Sequence, residues 1–154
     1  EDVSQIMNIY NYYVDNSIVT FDTEHAALDE IHNKIETTIN LYPWIVYEID
    51  GDILGYAYSS EWKAKDGYKH SAETTVYLKN GSIKKGLGTL LYKELINQLR
   101  ELNFHALMGC ITLPNDASIR LHEKFGFEKV FFHKFYVARR LDRVVCKKSR
   151  NSSQ

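Results

Sequence analysis

The sequence predicts an α/β fold of the α+β kind: a mixed, mostly antiparallel central sheet with helices on both faces. Three observations carry that expectation. Two runs rich in β-branched and aromatic residues, Trp44 to Ile49 and Ile53 to Tyr58, flank Asp50-Gly51, a dipeptide suited to the positive φ angles of a two-residue hairpin turn. Leucines at 87, 91, 95, 99 and 102 recur at helical spacing between shorter strand-like segments. The elements follow in the order helices, strands, helix, strand, helix, strands, which calls for a sheet covered on two sides.

Asp2 or Ser4 is placed to cap a first helix whose apolar face is Val3, Ile6, Tyr10 and Tyr13. Asn16 to Asp22 reads as a loop. Leu28, Ile31, Ile35 and Ile39 predict a second helix that ends before Pro43, because the residue preceding a proline is pushed out of the helical region. After the hairpin, a strand is expected from about His70 to Leu78, then a glycine-bearing loop and the leucine helix. Leu107 to Thr112 predicts a short buried strand, Pro114-Asn115-Asp116 the start of another helix, and Gly126 its end. Val130 to Val137 and Leu141 to Val145 predict the last strands. The tail from Lys147 to Gln154 has no apolar periodicity and is expected to fray. With no repeat or linker in view, residues 1 to 146 are expected to form a single domain. The chain opens at Glu1 already at a helix start, so a first strand is expected to be missing from its amino-terminal edge.

Composition narrows the function. Of 154 residues 44% are hydrophobic, enough for one core. Nineteen Lys and Arg against 20 Asp and Glu leave a charge of -1, so there is no global positive field to collect phosphate backbones or anionic lipid. Neither nucleic acid nor a membrane is an expected partner. No apolar run nears the roughly 20 residues that span a bilayer, and no charged-then-apolar leader opens the chain. Cys110 and Cys146 lack C-x-x-C spacing and are too few for a disulfide scaffold, which suits thiols in a reducing compartment. A soluble, cytoplasmic protein is expected. His25 and His32 stand two helical turns apart with no third ligand at suitable spacing, so no metal site is expected, and Cys110 reads as packing rather than as a nucleophile.

Between a predicted strand and a predicted helix lies Ser82-Ile83-Lys84-Lys85-Gly86-Leu87-Gly88-Thr89. Its glycines let the backbone approach a ligand closely, and the helix start offers amides and a positive dipole end to an anion such as a diphosphate. A Walker loop would need Lys where Leu87 stands, and a dinucleotide fingerprint would need Gly at Leu91. Taken alone, the Gly-x-Gly is equally a plain helix entry with Lys84 and Lys85 as solvated charges.

Context comes from Val76-Tyr77-Leu78, this loop, Leu113-Pro114-Asn115 and Leu121-His122-Glu123-Lys124-Phe125-Gly126-Phe127, which together resemble a GNAT acetyltransferase. Within that superfamily the chain is most similar to the phosphinothricin N-acetyltransferase group, through Ile9-Tyr10-Asn11, Thr20-Phe21-Asp22-Thr23-Glu24, Tyr42-Pro43-Trp44 and Ala72-Glu73-Thr74-Thr75-Val76-Tyr77. The resemblance runs from about residue 3 to residue 130. It implies a GNAT-like fold, acetyl-CoA as co-substrate, and a homodimer. It further implies that backbone groups of Val76, Tyr77 and Leu78 line the pantetheine arm, that amides of Lys84, Lys85, Gly86, Leu87, Gly88 and Thr89 cradle the pyrophosphate, and that Asn115 contacts the cofactor further along. The chain departs from the pattern at Ile83, where relatives carry Gln or Arg, and at Lys69, where close relatives carry Arg. It is also shorter between Val130 and Leu141, and carries Arg140-Leu141-Asp142 where relatives carry Trp-Leu-Asp.

Acetyl transfer from a thioester needs a neutral amine, so a base must remove a proton near the reacting centre. Glu73 is the candidate: it precedes Val76 by three residues on a predicted strand and matches the group's catalytic glutamate. Without that match it would read as an ordinary solvent-facing strand residue. Helical spacing after Asn115 puts Ser118, His122 and Phe125 on one side, so His122 looks inward, either as a packed core histidine or as the proton donor to the leaving thiolate. For the acceptor, Phe21 and Trp44 are placed to wall a small side chain, or else to be plain core, and Lys69 or His70 to meet a carboxylate. The leading expectation is acetylation of a small amino-acid-like amine of the phosphinothricin or methionine sulfoximine type. The alternatives are a protein or peptide amine as acceptor, or a non-catalytic acetyl-CoA-binding module.

Overall fold

The structure is a computed structural model that describes residues 2–20, 22–83 and 86–130, together with the backbone of 135–140. Four helices, α1 (Asp2–Asn16), α2 (Leu28–Thr38), α3 (Leu87–Glu101) and α4 (Asp116–Lys124), surround a sheet of β1 (Trp44–Ile49), β2 (Asp52–Glu61), β3 (Ser71–Leu78), β4 (Ala106–Ile111), β5 (Glu128–Lys129) and β6 (Phe135–Arg140). The strands lie in the order β1-β2-β3-β4-β6-β5, with only β3 and β4 parallel. The mixed, mostly antiparallel sheet read from the sequence is therefore the sheet observed.

The hairpin turn takes positive φ at both central residues, 52° at Asp50 and 82° at Gly51, the geometry that matches the twist of the flanking strands. Register slips once in the β1–β2 pair: Tyr47 faces Gly55 but Glu48 faces Ile53, leaving Leu54 as a bulge. That extra residue puts Ile53 on the same face as Tyr56 and Tyr58, where all three pack with Ile6 and Ile9 of α1 and Ile31 of α2. The other face is covered by α3, whose Leu91, Tyr92, Leu95, Ile96 and Leu99 form a second cluster with Ala57, Ala72, Leu107 and Ile111. Helices thus cover both faces.

Three local expectations change. Leu102 follows the last residue of α3 and is 53% exposed, so the leucine stripe ends at Leu99. On α2 only Ile31 is buried, while Leu28 and Ile39, at or beyond the helix ends, are exposed. Of the strand expected over Val130 to Val137, Val130 follows β5 outside any strand and 135–137 belong to β6, while residues 131–134 lie outside the described residues. Leu141 to Val145, Cys146 and the tail lie outside the described residues. Among the described residues no helix is long and apolar enough to cross a membrane.

Candidate active site

The site begins where two parallel strands part. β3 and β4 pair at only three positions, Ser71 with Ala106, Ala72 with Leu107 and Glu73 with Met108, although β3 runs on to Leu78 and β4 to Ile111. Thr74 stands at the fork, 3% exposed. Its hydroxyl donates to the Met108 carbonyl at 3.0 Å, and since Thr has one hydroxyl hydrogen, the 2.6 Å contact with Tyr92 Oη is a bond that Tyr92 donates. Beyond Thr74 the gap opens into a cleft of about 470 Å³, within the roughly 300–1,000 Å³ range of small-molecule sites.

Most of the residues expected to hold the cofactor meet in this cleft. Val76, Tyr77 and Leu78 line one wall, Gly86, Gly88 and Thr89 the entrance to α3, and Asn115 and His122 the opposite side. Gly86 has φ of 77°, a backbone conformation that glycine adopts freely, and the Gly86 carbonyl takes the N–H groups of Thr89 and Leu90. The N–H groups of Leu87 and Gly88 belong to the first turn and have no intrahelical acceptor, the arrangement that attracts an anion. Any side chain at Gly88 would grow between Leu78 and Leu121, both of which line the cleft. Leu87 itself turns its side chain into the core, 5% exposed. Asn115 caps α4, its Oδ1 accepting from the Ser118 N–H at 3.1 Å, which leaves its carboxamide N–H groups to offer a ligand. Lys84, Lys85 and Phe21 lie outside the described residues.

Two buried polar atoms of residues lining the cleft, His122 Nε2 and Thr112 Oγ1, have no hydrogen-bond partner among the described residues. Burying such atoms without partners is costly, so they mark where a polar ligand atom fits. The His122 ring sits edge-on to Tyr92 and Phe127 and is 4% exposed. Its Nδ1–H donates to the Ser118 carbonyl at 2.8 Å, which leaves Nε2 as the nitrogen without a proton. Burial holds the His122 pKa below the usual imidazole range, only partly opposed by the bond to Ser118, and keeps the ring neutral at neutral pH.

On the α1/α2 side of the sheet lies a second cavity of about 170 Å³, lined by Tyr10, Asp22, Glu30, Lys34, Trp44 and Tyr58 among others. Trp44 stacks on Tyr58 with ring centroids 4.2 Å apart and donates its indole N–H to Thr38 Oγ1 at 2.8 Å. Lys69 and His70 line neither cavity. Both are exposed; Lys69 closes a 3-10 turn over Asp66–Tyr68, and the His70 ring stacks on His105 at 4.8 Å.

Glu73 occupies the last paired position before the fork. Opposite Ser60 on β2, it shares the sheet face of Tyr77, which packs toward α1. Half-buried there, its carboxyl is held above the usual carboxylate range by desolvation, partly offset by the cation of Lys34. Lys34 and Tyr58 are site residues that sequence reading passed over.

A strand pair that splits around a cleft and leads to an amide-bearing helix start is the architecture of an acyl-CoA-dependent transferase. The comparison with known families agrees: residues 1–140 match the acetyltransferase (GNAT) domain, and the chain belongs to that family of N-acetyltransferases. It is 36% identical over 126 residues to a phosphinothricin N-acetyltransferase of Streptomyces viridochromogenes, covering 82% of this chain and 69% of that one. To an L-methionine sulfoximine/L-methionine sulfone acetyltransferase of Salmonella typhimurium it is 33% identical over 127 residues, covering 82% and 74%. The crystal structure of a GNAT superfamily phosphinothricin acetyltransferase from Sinorhizobium meliloti in complex with acetyl-CoA superposes with a TM-score of 0.84 at 28% identity, covering 90% of this chain and 83% of that one.

Proposed function

We propose that this enzyme moves the acetyl group of acetyl-CoA to the amine of a small amino-acid-like molecule, by direct attack with both substrates bound. The observation that carries the reading is a pair of cavities: a cleft beyond the β3–β4 fork sized for an extended cofactor, and on the α1/α2 side a pocket too small for a protein segment. Glu73, the last paired residue before the fork, lines neither but shares the sheet face of Tyr77. The curated relatives named for phosphinothricin and methionine sulfoximine support the same substrate class.

In this reading Val76, Tyr77 and Leu78 guide the pantetheine arm, and the loop from Lys84 to Thr89 takes the pyrophosphate. Glu73, directly or through one water, takes a proton from the acceptor ammonium. Its raised pKa makes it a better proton acceptor than a surface glutamate. The freed amine attacks the thioester carbon; the C–N bond forms, the C–S bond breaks, and the nitrogen sheds a second proton while the sulfur needs one. His122 is suited to carry that proton from nitrogen to sulfur, because its Nε2 begins with a lone pair and faces the cleft. A neutral His122 must accept a proton before it can serve as donor to the thiolate. Trp44 walls the acceptor's side chain, with Phe21, Lys69 and His70 as the other residues read from the sequence for the acceptor. No metal has a part in this scheme, and a cytoplasmic homodimer completes the reading.

The test is thiol release from acetyl-CoA over a panel of amino acids, phosphinothricin and methionine sulfone among them. Glu73→Gln is expected to lower kcat by roughly a hundredfold to ten-thousandfold, the usual contribution of a positioned base, with acetyl-CoA affinity retained. An unchanged rate at neutral pH removes Glu73 from the mechanism.

A further inference from the structure

We infer that Lys34 of α2 holds the acceptor's carboxylate above the ring of Tyr58, turning the acceptor's amine toward Glu73. The inference rests on the small-amine reading and names the group that would recognise the substrate.

Three ionisable side chains of opposite sign line the small pocket: Asp22, Glu30 and Lys34. The two carboxylates are already engaged, Asp22 by the hydroxyl of Tyr10 and Glu30 by the N–H of Ala27 at 2.8 Å. Lys34 is not. Its Nζ lies 2.9 Å from Tyr58 Oη and 4.7 Å from the Tyr58 ring centroid, but among the described residues no carboxylate comes within ion-pair distance of it. An ammonium has three donors, and the bond to Tyr58 uses one. The pocket therefore offers an anion two further N–H donors on an ammonium that has no ion-pair partner among the described residues.

Position gives the anion its identity. Tyr58 pairs with Thr75, which lines the cofactor cleft, and Glu73 sits two residues back on the same face of β3. The field of Lys34 reaches the Glu73 carboxyl. An acceptor that places an anion at Lys34 and an ammonium toward Glu73 carries both charges, as an α-amino acid does. Its side chain would lie against the stacked rings of Trp44, Tyr58 and Tyr56. Lys69, the cation chosen from sequence, is exposed and outside this pocket.

The experiment compares methionine sulfone with its carboxamide, which keeps the amine and side chain but lacks the negative charge. For Lys34→Met, kcat/KM toward the free acid is expected to fall about tenfold to hundredfold through KM, the span of one charge-assisted hydrogen bond, while the carboxamide changes less than threefold. Lys34→Arg is expected to recover most of the loss. Equal losses for both substrates, or no loss for either, overturn the assignment. Thermal melting and acetyl-CoA affinity of the variant separate a misfolded protein from a discriminating one. If the unaltered enzyme acetylates no amino acid at all, the small-amine reading fails and this inference falls with it; turnover with an unaltered preference sinks the Lys34 assignment alone.

Discussion

Replacing Thr74 by valine removes one hydroxyl from the fork and keeps the shape of the side chain. The hydroxyl joins three elements: β3 through Thr74, β4 through the Met108 carbonyl, and α3 through Tyr92, which is fully buried. Each of the two bonds contributes about 1 kcal/mol net, and a carbonyl left in a dry interior adds a desolvation cost of about 1–3 kcal/mol, so the variant is expected to lose roughly 3–5 kcal/mol. With a urea m-value of about 2 kcal/mol/M, that lowers the unfolding midpoint by about 1.5–2.5 M, read by the fluorescence of Trp44 and Trp62. Thr74→Ser keeps both bonds and gives up only a methyl group, so it should lose about 1 kcal/mol. If valine shifts the midpoint by less than roughly 0.3 M, or serine costs as much as valine, the hydroxyl does not hold the fork and the argument is wrong.

Three further expectations concern the same site. Because burial raises the Glu73 pKa, the acidic limb of the kcat/KM profile should fall at a higher pH than an ordinary glutamate gives, and Lys34→Met should move it higher still by removing the opposing cation. His122 is held below its unfolded pKa, so its contribution to stability is present above about pH 6.5 and is lost as pH falls through the lowered value. Melting temperatures of His122→Phe should accordingly decline less than those of the unaltered protein between about pH 7.5 and 5. Gly55→Ala would set a methyl 2.7 Å from Leu78 Cδ2 and 2.9 Å from the Tyr77 carbonyl. Overpacking there should cost about 1–3 kcal/mol and weaken acetyl-CoA binding, measured by calorimetry, since both neighbours line the cleft.

Local signals were legible in the sequence and long-range ones were not. Asp50-Gly51 announced its hairpin because the turn's demand for positive φ is met by those two residues alone. The loop before α3 and the inward side of α4 could be read for the same reason, and the family match fixed the register of Val76 to Leu78. The fork could not be read: which residues of β3 and β4 pair, and where they stop, depends on segments more than thirty positions apart. The Leu54 bulge was hidden because Ile53 to Tyr58 alternates as an unbroken strand would. Lys34 was missed for a different reason. On α2 it stands among Asp29, Glu30, His32, Asn33 and Glu36 as one more solvated charge, and only the packing of α2 over Tyr58 gives it a role.

A sheet that is fastened across its middle by three residue pairs behaves as a pair of tongs. One jaw is β1, β2 and β3, the other β4, β6 and β5, and the hinge is Ser71 to Glu73 against Ala106 to Met108. Whatever fills the gap touches both jaws and completes the missing rungs, so acetyl-CoA should act as a stiffener as well as a reactant. A ligand at a hundred times its Kd adds about 2.7 kcal/mol to the folded state, and here that gain should appear as slowed amide exchange on the facing edges of both jaws together. The small pocket takes Trp44, Tyr56 and Tyr58 from the first jaw, and Tyr58 stands two residues from Ser60, which faces Glu73 at the hinge, so stiffening there should reach the pocket wall as well.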